Sequence, residues 1–249
     1  MKNTQFRDLT LAPITSEESL VIACDSSAGI GEKKADVVAV DPAITAAYSL
    51  RVPLLELMCY GAQPITVIDT IGNELVPTGE KMIAGVRAEM ARAKLADVPL
   101  NGSTEDNMAT ITTSIGITVI GRIQNNMMPT TATAELTVFQ LGVPYVGDEV
   151  VAHLDSIFSY DTVRQIRQQS AVVDMLPVGS KGVTYELGQM AQTHGLAIHY
   201  LVDSEAPALH TSAGPATVVL VAVTKTQAAE VTQKFPELVA IADLKEAIK

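Results

Sequence analysis

The sequence contains few of the residues on which metal sites and cross-linked scaffolds depend. It has two cysteines, four histidines and no tryptophan in 249 residues. Cys24 and Cys59 cannot form a disulfide scaffold, and both lie in apolar segments, so we expect two reduced thiols in the core. The histidines lack the spacing of metal ligands and there is no C-x-x-C pair, so neither a zinc site nor a redox site is predicted.

Long apolar runs and an excess of basic residues are absent as well. No run reaches the roughly 20 apolar residues of a membrane helix, and residues 1–8 lack the apolar core of a secretion signal. We therefore expect a cytoplasmic protein with no membrane partner. Aspartate and glutamate outnumber lysine and arginine by 28 to 17, giving a formal net charge of −11. A negative surface repels phosphate backbones, so nucleic acid is not expected as a partner.

The remaining composition is that of a globular protein. Hydrophobic residues make up 47% of the chain and charged residues 18%, which suffices for one large domain or two small ones. Stretches rich in β-branched residues alternate with helical patterns, so we predict an α/β (α+β) fold with mixed sheets covered by helices. A polar break at 124–133 suggests an N-terminal domain over 1–130 and a C-terminal domain over 131–249.

Predicted strands and helices are found in both halves of the chain. The N-terminal half is predicted to form strands over 20–24, 65–68 and 111–123 and helices over 43–60 and 80–94. The C-terminal half is predicted to form strands over 137–141, 196–202 and 217–223 and helices over 148–153, 160–168, 183–193, 227–234 and 238–248.

Acidic residues recur at or just after the predicted strand ends of the first half. Asp25 closes the first strand and Asp69 the second, while Glu105 and Asp106 lie in a loop before the third. Carboxylates at one end of a sheet can converge, and oxygen ligands without cysteine or histidine nearby suit Mg²⁺. The alternative is that these are ordinary turn residues that cap loops.

A glycine-bearing segment, Ser26–Lys34, directly follows Asp25. Glycines let backbone N–H groups approach phosphate oxygens, and Lys33 adds a positive charge. The segment matches neither the P-loop nor the dinucleotide-binding fingerprint, so a plain turn stays open as the alternative. Two further small-residue turns, Gly179–Gly182 and Ser212–Thr217, precede a predicted helix and a predicted strand, and loop geometry alone could explain them.

Taken in order, these motifs resemble the aminoimidazole ribonucleotide synthetase-like superfamily. Asp25 with Gly29–Lys33 resembles the family's Asp-Gly-Val-Gly-Thr-Lys loop, with two residues inserted after the aspartate. Leu55–Pro64 is similar to a helix that carries Asn-Asp and ends in Gly-Ala-Glu-Pro, and Ile65–Asp69 is similar to the strand that follows it. Asn101–Asp106 resembles the Gly-Gly-Glu-Thr-Ala-Glu loop.

The resemblance covers most of residues 18–223 and implies a two-domain fold whose N-terminal domains pair into a barrel-like homodimer core. It also implies ATP and Mg²⁺ as cofactors and a small-molecule substrate. The residues to which it assigns roles are Asp25 and Lys33 in catalysis, Gly29, Gly31, Lys33, Gly102, Ser103 and Thr104 in nucleotide binding, and Asp25, Glu56, Asp69, Glu105 and Asp106 as metal ligands.

Several departures narrow the assignment within the superfamily. The chain is shorter than the synthetase, Leu55-Glu56 replaces Asn-Asp, and the N-terminal cysteine segment of selenophosphate synthetases is missing. The short form is most similar to the α-ribazole kinases, which implies transfer of the ATP γ-phosphate to the 5′-hydroxyl of α-ribazole. Another kinase or ligase of the superfamily, such as a thiamine-monophosphate kinase, is the alternative. A non-catalytic nucleotide-binding regulator also stays open, because the metal-binding Asn-Asp pair is altered.

Overall fold

The computed structural model describes residues 2–132 and 134–246, and the folded chain divides into two compact units. The first takes in Met1–Leu57 and Ala62–Met127, and the second takes in Met58–Gly61 and Met128–Lys249. The domain bounds 1–130 and 131–249 stay a prediction, because compactness describes packing and not independent folding.

The first unit is built on a six-stranded mixed sheet. Its strands and helices are β1 (Thr4–Phe6), β2 (Leu9–Pro13), β3 (Glu18–Ala28), β4 (Ile30–Gly31), β5 (Val38–Ala39), α1 (Pro42–Tyr60), β6 (Gln63–Ile71), α2 (Glu80–Arg92), β7 (Leu100–Thr104) and β8 (Ser114–Gln124). The strand order is β1-β2-β3-β8-β6-β7, while β4 and β5 form a separate parallel pair. Within the large sheet only β6 and β7 pair in parallel; the other described neighbours are antiparallel.

Helix α1 covers one face of this sheet because its apolar residues recur at helical spacing. Leu50, Leu54 and Leu57 are each 0% exposed, and a Cβ on Gly121 of β8 would lie 2.5 Å from the Leu57 side chain. The helix runs through Pro53 to Tyr60, and Gly61, the predicted C-cap, follows it with a φ of 93° that favours glycine. The close approach of α1 and β8 explains why residue 121 lacks a side chain.

The second unit is built on a five-stranded antiparallel sheet of order β10-β12-β9-β13-β11. Its strands and helices are β9 (Leu136–Gly142), α3 (Asp148–Ala152), α4 (Tyr160–Arg167), β10 (Val172–Pro177), α5 (Gly182–His194), β11 (Ala197–Tyr200), α6 (Pro207–His210), β12 (Val218–Thr224), α7 (Ala228–Lys234) and β13 (Val239–Lys245). Val183, Leu187 and Met190 of α5 are fully buried in a cluster that includes Val138 and Leu220 of the sheet. Burial of this helix face against the sheet stabilises the unit.

Most predicted elements have the predicted type, and the exceptions have identifiable causes. The helix predicted over 238–248 is wrong within the described residues, because 239–245 form strand β13 between β9 and β11; residues 247–249 lie outside the described residues. Tertiary pairing here overrides a spacing that is compatible with a helix. Strand β7 includes Asn101–Thr104, which were predicted as a loop, and β10 was not predicted.

The two cysteines differ in environment. Cys59 is buried as predicted, but Cys24 is exposed, so its predicted core position is wrong for the single chain. The cause is strand alternation, because Val21 and Ala23 of β3 are buried while Cys24 points to the opposite face.

None of the helices in the described part of the chain has the length and apolarity needed to span a bilayer.

Candidate functional site

Three strands of the first unit end at the same edge of its sheet. Strands β3 and β6 are both antiparallel to β8, and β7 is parallel to β6, so β3, β6 and β7 run in one direction. Asp25 and Asp69 lie near this edge but inside their strands, because β3 continues to Ala28 and β6 to Ile71. Their expected place at strand ends is therefore corrected by two to three residues.

The sheet register places these two carboxylates on one row. Asp25 is opposite Ile117 of β8. Ile117 is in turn opposite Asp69, and Asp69 is opposite Gly102 of β7. Residues directly opposite in neighbouring strands point to the same face. Asp25 and Asp69 therefore share a face, with Cα atoms two strands, or roughly 10 Å, apart.

Asp69 is held beside a cavity by the absence of a side chain at Gly102. A Cβ at residue 102 would lie 1.6 Å from Oδ1 of Asp69 and 2.6 Å from its backbone oxygen. The cavity has a volume of about 290 Å³ and is lined by Asp69, Arg87 and residues 100–104, among others. Asp69 is 3% exposed. Burial raises the pKa of its carboxyl, and the charge of Arg87 opposes that rise.

Asp25 is half-buried on the same face. Burial raises the pKa of its carboxyl, and a hydrogen bond from the backbone of Ser26 only partly opposes the effect. In both aspartates the surroundings disfavour the charged form. A cation bound at either carboxylate would offset that penalty.

The segment from Gly29 to Asp36 is anchored as a loop by the Asp36 carboxylate. That carboxylate accepts hydrogen bonds of 2.7 Å from the Lys33 N–H, the Thr113 N–H and the Thr113 hydroxyl. Desolvation raises the pKa of Asp36, but the bonds from Thr113 and Lys33 outweigh it and hold the pKa below its usual range. These contacts tie the loop, through Lys33 and Asp36, to the residue that precedes β8.

The two predicted phosphate-contacting glycines have different roles in this loop. Gly29 has a φ of 76°, and its N–H donates to the Thr113 carbonyl at 2.9 Å. The Gly29 N–H therefore already has a hydrogen-bond acceptor, and glycine at this position allows the positive φ of the backbone. At Gly31 a Cβ would lie 2.2 Å from the Thr113 hydroxyl oxygen, so glycine is required there by space.

The Lys33 ammonium is paired with a residue that the sequence analysis missed. Its Nζ lies 2.6 Å from Oε2 of Glu74, and Oε1 of Glu74 accepts from the Thr78 hydroxyl at 2.6 Å. The hydrogen bonds from Lys33 and Thr78 lower the pKa of Glu74 to about 2. Glu74 follows β6 and belongs to no motif, so only the fold brings it to Lys33.

Glu105 and Asp106 act as loop caps, which was the alternative considered from sequence. Oε1 of Glu105 accepts from the N–H groups of Asn107 and Met108 at 2.8 and 3.2 Å. Asp106 accepts from the Leu75 N–H at 2.9 Å and from the Thr104 hydroxyl at 2.6 Å. These two bonds lower the pKa of Asp106, with the hydroxyl of Thr104 as the larger cause.

Comparison with known proteins gives matches among solved structures. No protein-family model and no curated protein sequence matches the chain. Thiamine monophosphate kinase from Aquifex aeolicus aligns with a TM-score of 0.66 and 14% identity over 98% of this chain and 90% of its own. A ThiL structure complexed with AMPPCP and TMP gives 0.67 and 15% over 96% and 85%. T. maritima PurL complexed with ATP gives 0.63 and 13% over 95% of this chain and 42% of its own.

The fold is aminoimidazole-ribonucleotide-synthetase-like. The predicted fold class, mixed sheets covered by helices, is thereby confirmed. At 13–15% identity the likeness is one of fold. The chain spans less than half the length of PurL.

Within this synthetase-like fold, the five predicted metal ligands do not form one group. No three His, Cys, Asp or Glu side chains of the described residues surround a common metal position. Asp25 and Asp69 share a row, Glu105 and Asp106 cap loops, and Glu56 lies in the helix layer on α1. Of the five, Asp25 and Asp69 are the pair that the sheet register brings to one face.

The two glycine-bearing turns of the second unit lie next to each other. The Ala213 N–H donates to the Gly179 carbonyl at 3.2 Å. Gly182 has a φ of 80°, and a Cβ there would lie 2.9 Å from the backbone of His210. Loop geometry therefore accounts for glycine at 182.

Proposed function

We propose that this protein is a Mg²⁺- and ATP-dependent small-molecule kinase. The observation that carries the proposal is the row on which Asp25 and Asp69 share a face, with a cavity beside Asp69 and a pKa raised by burial for both carboxyls. Burial disfavours the charged form of each carboxylate, and a bound cation would favour that form again. The arrangement therefore supports a site that works with a metal.

Mg²⁺ is the metal that fits these residues. It prefers oxygen ligands, and it is commonly held by one or two protein carboxylates together with substrate phosphates and water. Asp25 and Asp69 would be its protein ligands, and the absence of a side chain at Gly102 leaves the space that the Asp69 carboxylate occupies. When bound, Mg²⁺ would neutralise charge on the transferred phosphate.

ATP is supported by the loop that follows Asp25 and by what related folds hold. The loop is anchored by Asp36, and it presents the Lys33 ammonium, whose side chain is 22% exposed. Solved structures of the same fold contain ATP in PurL and AMPPCP in ThiL. Lys33 and the small residues Gly31 and Gly102 would contact the phosphates, with Ser103 and Thr104 beside them.

The acceptor that we propose is α-ribazole, phosphorylated on its 5′-hydroxyl in cobalamin lower-ligand salvage. Support comes from the sequence resemblance in 25–33 and 102–107. The second candidate is thiamine-monophosphate kinase activity, which the alignment over 90% of the Aquifex aeolicus enzyme favours. A regulator without turnover is the third, because Leu55-Glu56 replaces Asn-Asp.

Calorimetric titration tests nucleotide binding directly. We expect Mg-ATP to bind, and we expect EDTA to weaken binding strongly, because phosphate repulsion by Asp25 and Asp69 is then uncompensated. A phosphate-transfer screen with α-ribazole, thiamine phosphate and formylglycinamidine ribonucleotide then identifies the acceptor. If no heat of binding is measured at millimolar Mg-ATP, the kinase proposal is contradicted. Nucleotide binding without any phosphate transfer would favour the non-catalytic regulator.

We further propose that the N-terminal sheets of two copies pair into a homodimer. The sheet face opposite α1 carries Ile22 of β3 and Ile120 of β8, which are directly opposite each other and only partly buried in the single chain. The exposed Cys24 lies on the same face. An apolar sheet face of this kind is costly to leave in water, and a second copy would cover it.

Light scattering is expected to give about twice 26.4 kDa at micromolar concentration. Ile120→Glu should shift the protein to monomer, because the substitution places a charge in the centre of the pairing face. Val239→Glu is the matched control, since Val239 is 59% exposed on the other unit. A monomeric wild-type protein with full activity would contradict the shared sheet.

A further inference from the structure

We propose that Glu74 is a positioning residue that holds Lys33 until a nucleotide phosphate replaces it. The inference rests on the proposed function, because it assumes that Lys33 contacts phosphate. It goes further by assigning Glu74 a role in nucleotide selection. Glu74 and Lys33 are 41 positions apart in the chain and meet only in the folded protein.

The geometry makes Glu74 a fixed partner for Lys33. One carboxylate oxygen lies 2.6 Å from the Lys33 Nζ, and the other accepts from the Thr78 hydroxyl at 2.6 Å. The Glu74 carbonyl accepts from the Gly79 N–H at 2.9 Å, which anchors its backbone just before α2. Because both its oxygens and its backbone are engaged, Glu74 sets where the Lys33 ammonium lies.

The pair is also accessible to a competing anion. The Lys33 side chain is 22% exposed and that of Glu74 is 29% exposed, so a phosphate can reach the ammonium from solvent. A phosphate that binds Lys33 either displaces the Glu74 carboxylate or uses the other N–H groups of the ammonium, and in both cases it lies close to that carboxylate. Asp106, which repels Glu74, adds a second negative charge close by.

This arrangement predicts selection for nucleotide that carries its metal. Repulsion between the carboxylates and the phosphates grows with the charge on the phosphates. Mg²⁺ lowers that charge, so metal-bound triphosphate should bind Lys33 more readily than bare triphosphate. Glu74 therefore acts against unproductive binding of the metal-free nucleotide.

A double-mutant cycle tests the proposal, with calorimetry of AMPPCP in EDTA and in Mg²⁺. Glu74→Gln is expected to tighten metal-free binding about two- to fivefold, the size of effect typical of a partly exposed ion pair, and to change Mg²⁺-bound affinity less. In a Lys33→Gln background the same substitution should have less than about a twofold effect, because Glu74 acts through Lys33.

Glu32→Gln is the matched control. Glu32 neighbours Lys33 and pairs with Lys81 at 2.5 Å, so the substitution removes the same charge and an ion pair from the same loop without touching the Lys33 contact. We expect Glu32→Gln to leave metal-free affinity within about twofold of the wild type. An equal gain in Glu32→Gln would mean that net charge alone is responsible and would overturn the proposal.

Hydrogen exchange gives a readout that needs no nucleotide. The amides of residues 29–36 should exchange faster in Glu74→Gln, because the loop loses one anchor, and those of Glu32→Gln should change less. If no variant binds AMPPCP, the proposed function fails, while faster loop exchange would still support Glu74 as the positioning residue. Unchanged or weaker metal-free binding in Glu74→Gln, in a protein that does bind AMPPCP, would refute the proposal.

Discussion

Asp25→Asn is expected to abolish phosphate transfer and to leave the chain folded. Asparagine keeps the size of the side chain and one acceptor oxygen for the Ser26 backbone, but it removes the negative charge. Because burial already disfavours that charge, the neutral amide should cost little stability. If Asp25 holds Mg²⁺ with Asp69, loss of the charge should weaken the metal and misplace the γ-phosphate, lowering the rate by about 10²-fold or more.

The measurement is a phosphate-transfer assay, with circular dichroism to confirm folding. Asp97→Asn is the matched control, since Asp97 is exposed outside the sheet row and should tolerate the same change. Near-normal turnover in a folded Asp25→Asn protein would remove Asp25 from the site. It would also leave Asp69 as a single carboxylate without the partner on which the metal proposal depends.

Gly102→Ala is expected to damage the site through Asp69. The added Cβ would lie 1.6 Å from the Asp69 carboxylate oxygen and 2.6 Å from its backbone oxygen. The side chain could turn away, but the backbone contact requires β6 and β7 to move apart. Such overpacking typically costs about 1–3 kcal/mol of the free energy of unfolding. We expect Mg-ATP affinity to fall at least tenfold as well, because Asp69 can no longer keep its position.

Urea unfolding measures the first effect and calorimetry the second. Gly188→Ala provides the control, since Gly188 lies inside α5 and a Cβ there would meet no atom within 4 Å. That helical substitution should raise the free energy of unfolding by about 0.5–1 kcal/mol. Normal Mg-ATP affinity in a destabilised Gly102→Ala protein would mean that Asp69 matters for packing and not for the metal.

Local patterns were enough to predict most elements of the fold. The leucines of α1 recur at helical spacing, and the β-branched stretch of β8 is typical of a strand. The folded chain has a helix and a strand at these two places, as predicted. The segment 239–245 is different, because its apolar spacing suits a helix and its place between β9 and β11 makes it a strand. Where the local signal is ambiguous, pairing with distant strands decides.

The candidate site shows the same division between local and distant information. The sequence alone determined that Asp25 and Asp69 lie near the ends of strands and that a glycine loop with Lys33 follows Asp25. Strand order and register decided that the two aspartates share a face, because those depend on pairing through β8. Tertiary structure alone also assigned Glu105 and Asp106 to loop capping and gave Lys33 its partner Glu74. A residue's type and spacing limit its chemistry, but its hydrogen-bond partners come from remote segments that only the folded chain brings within reach.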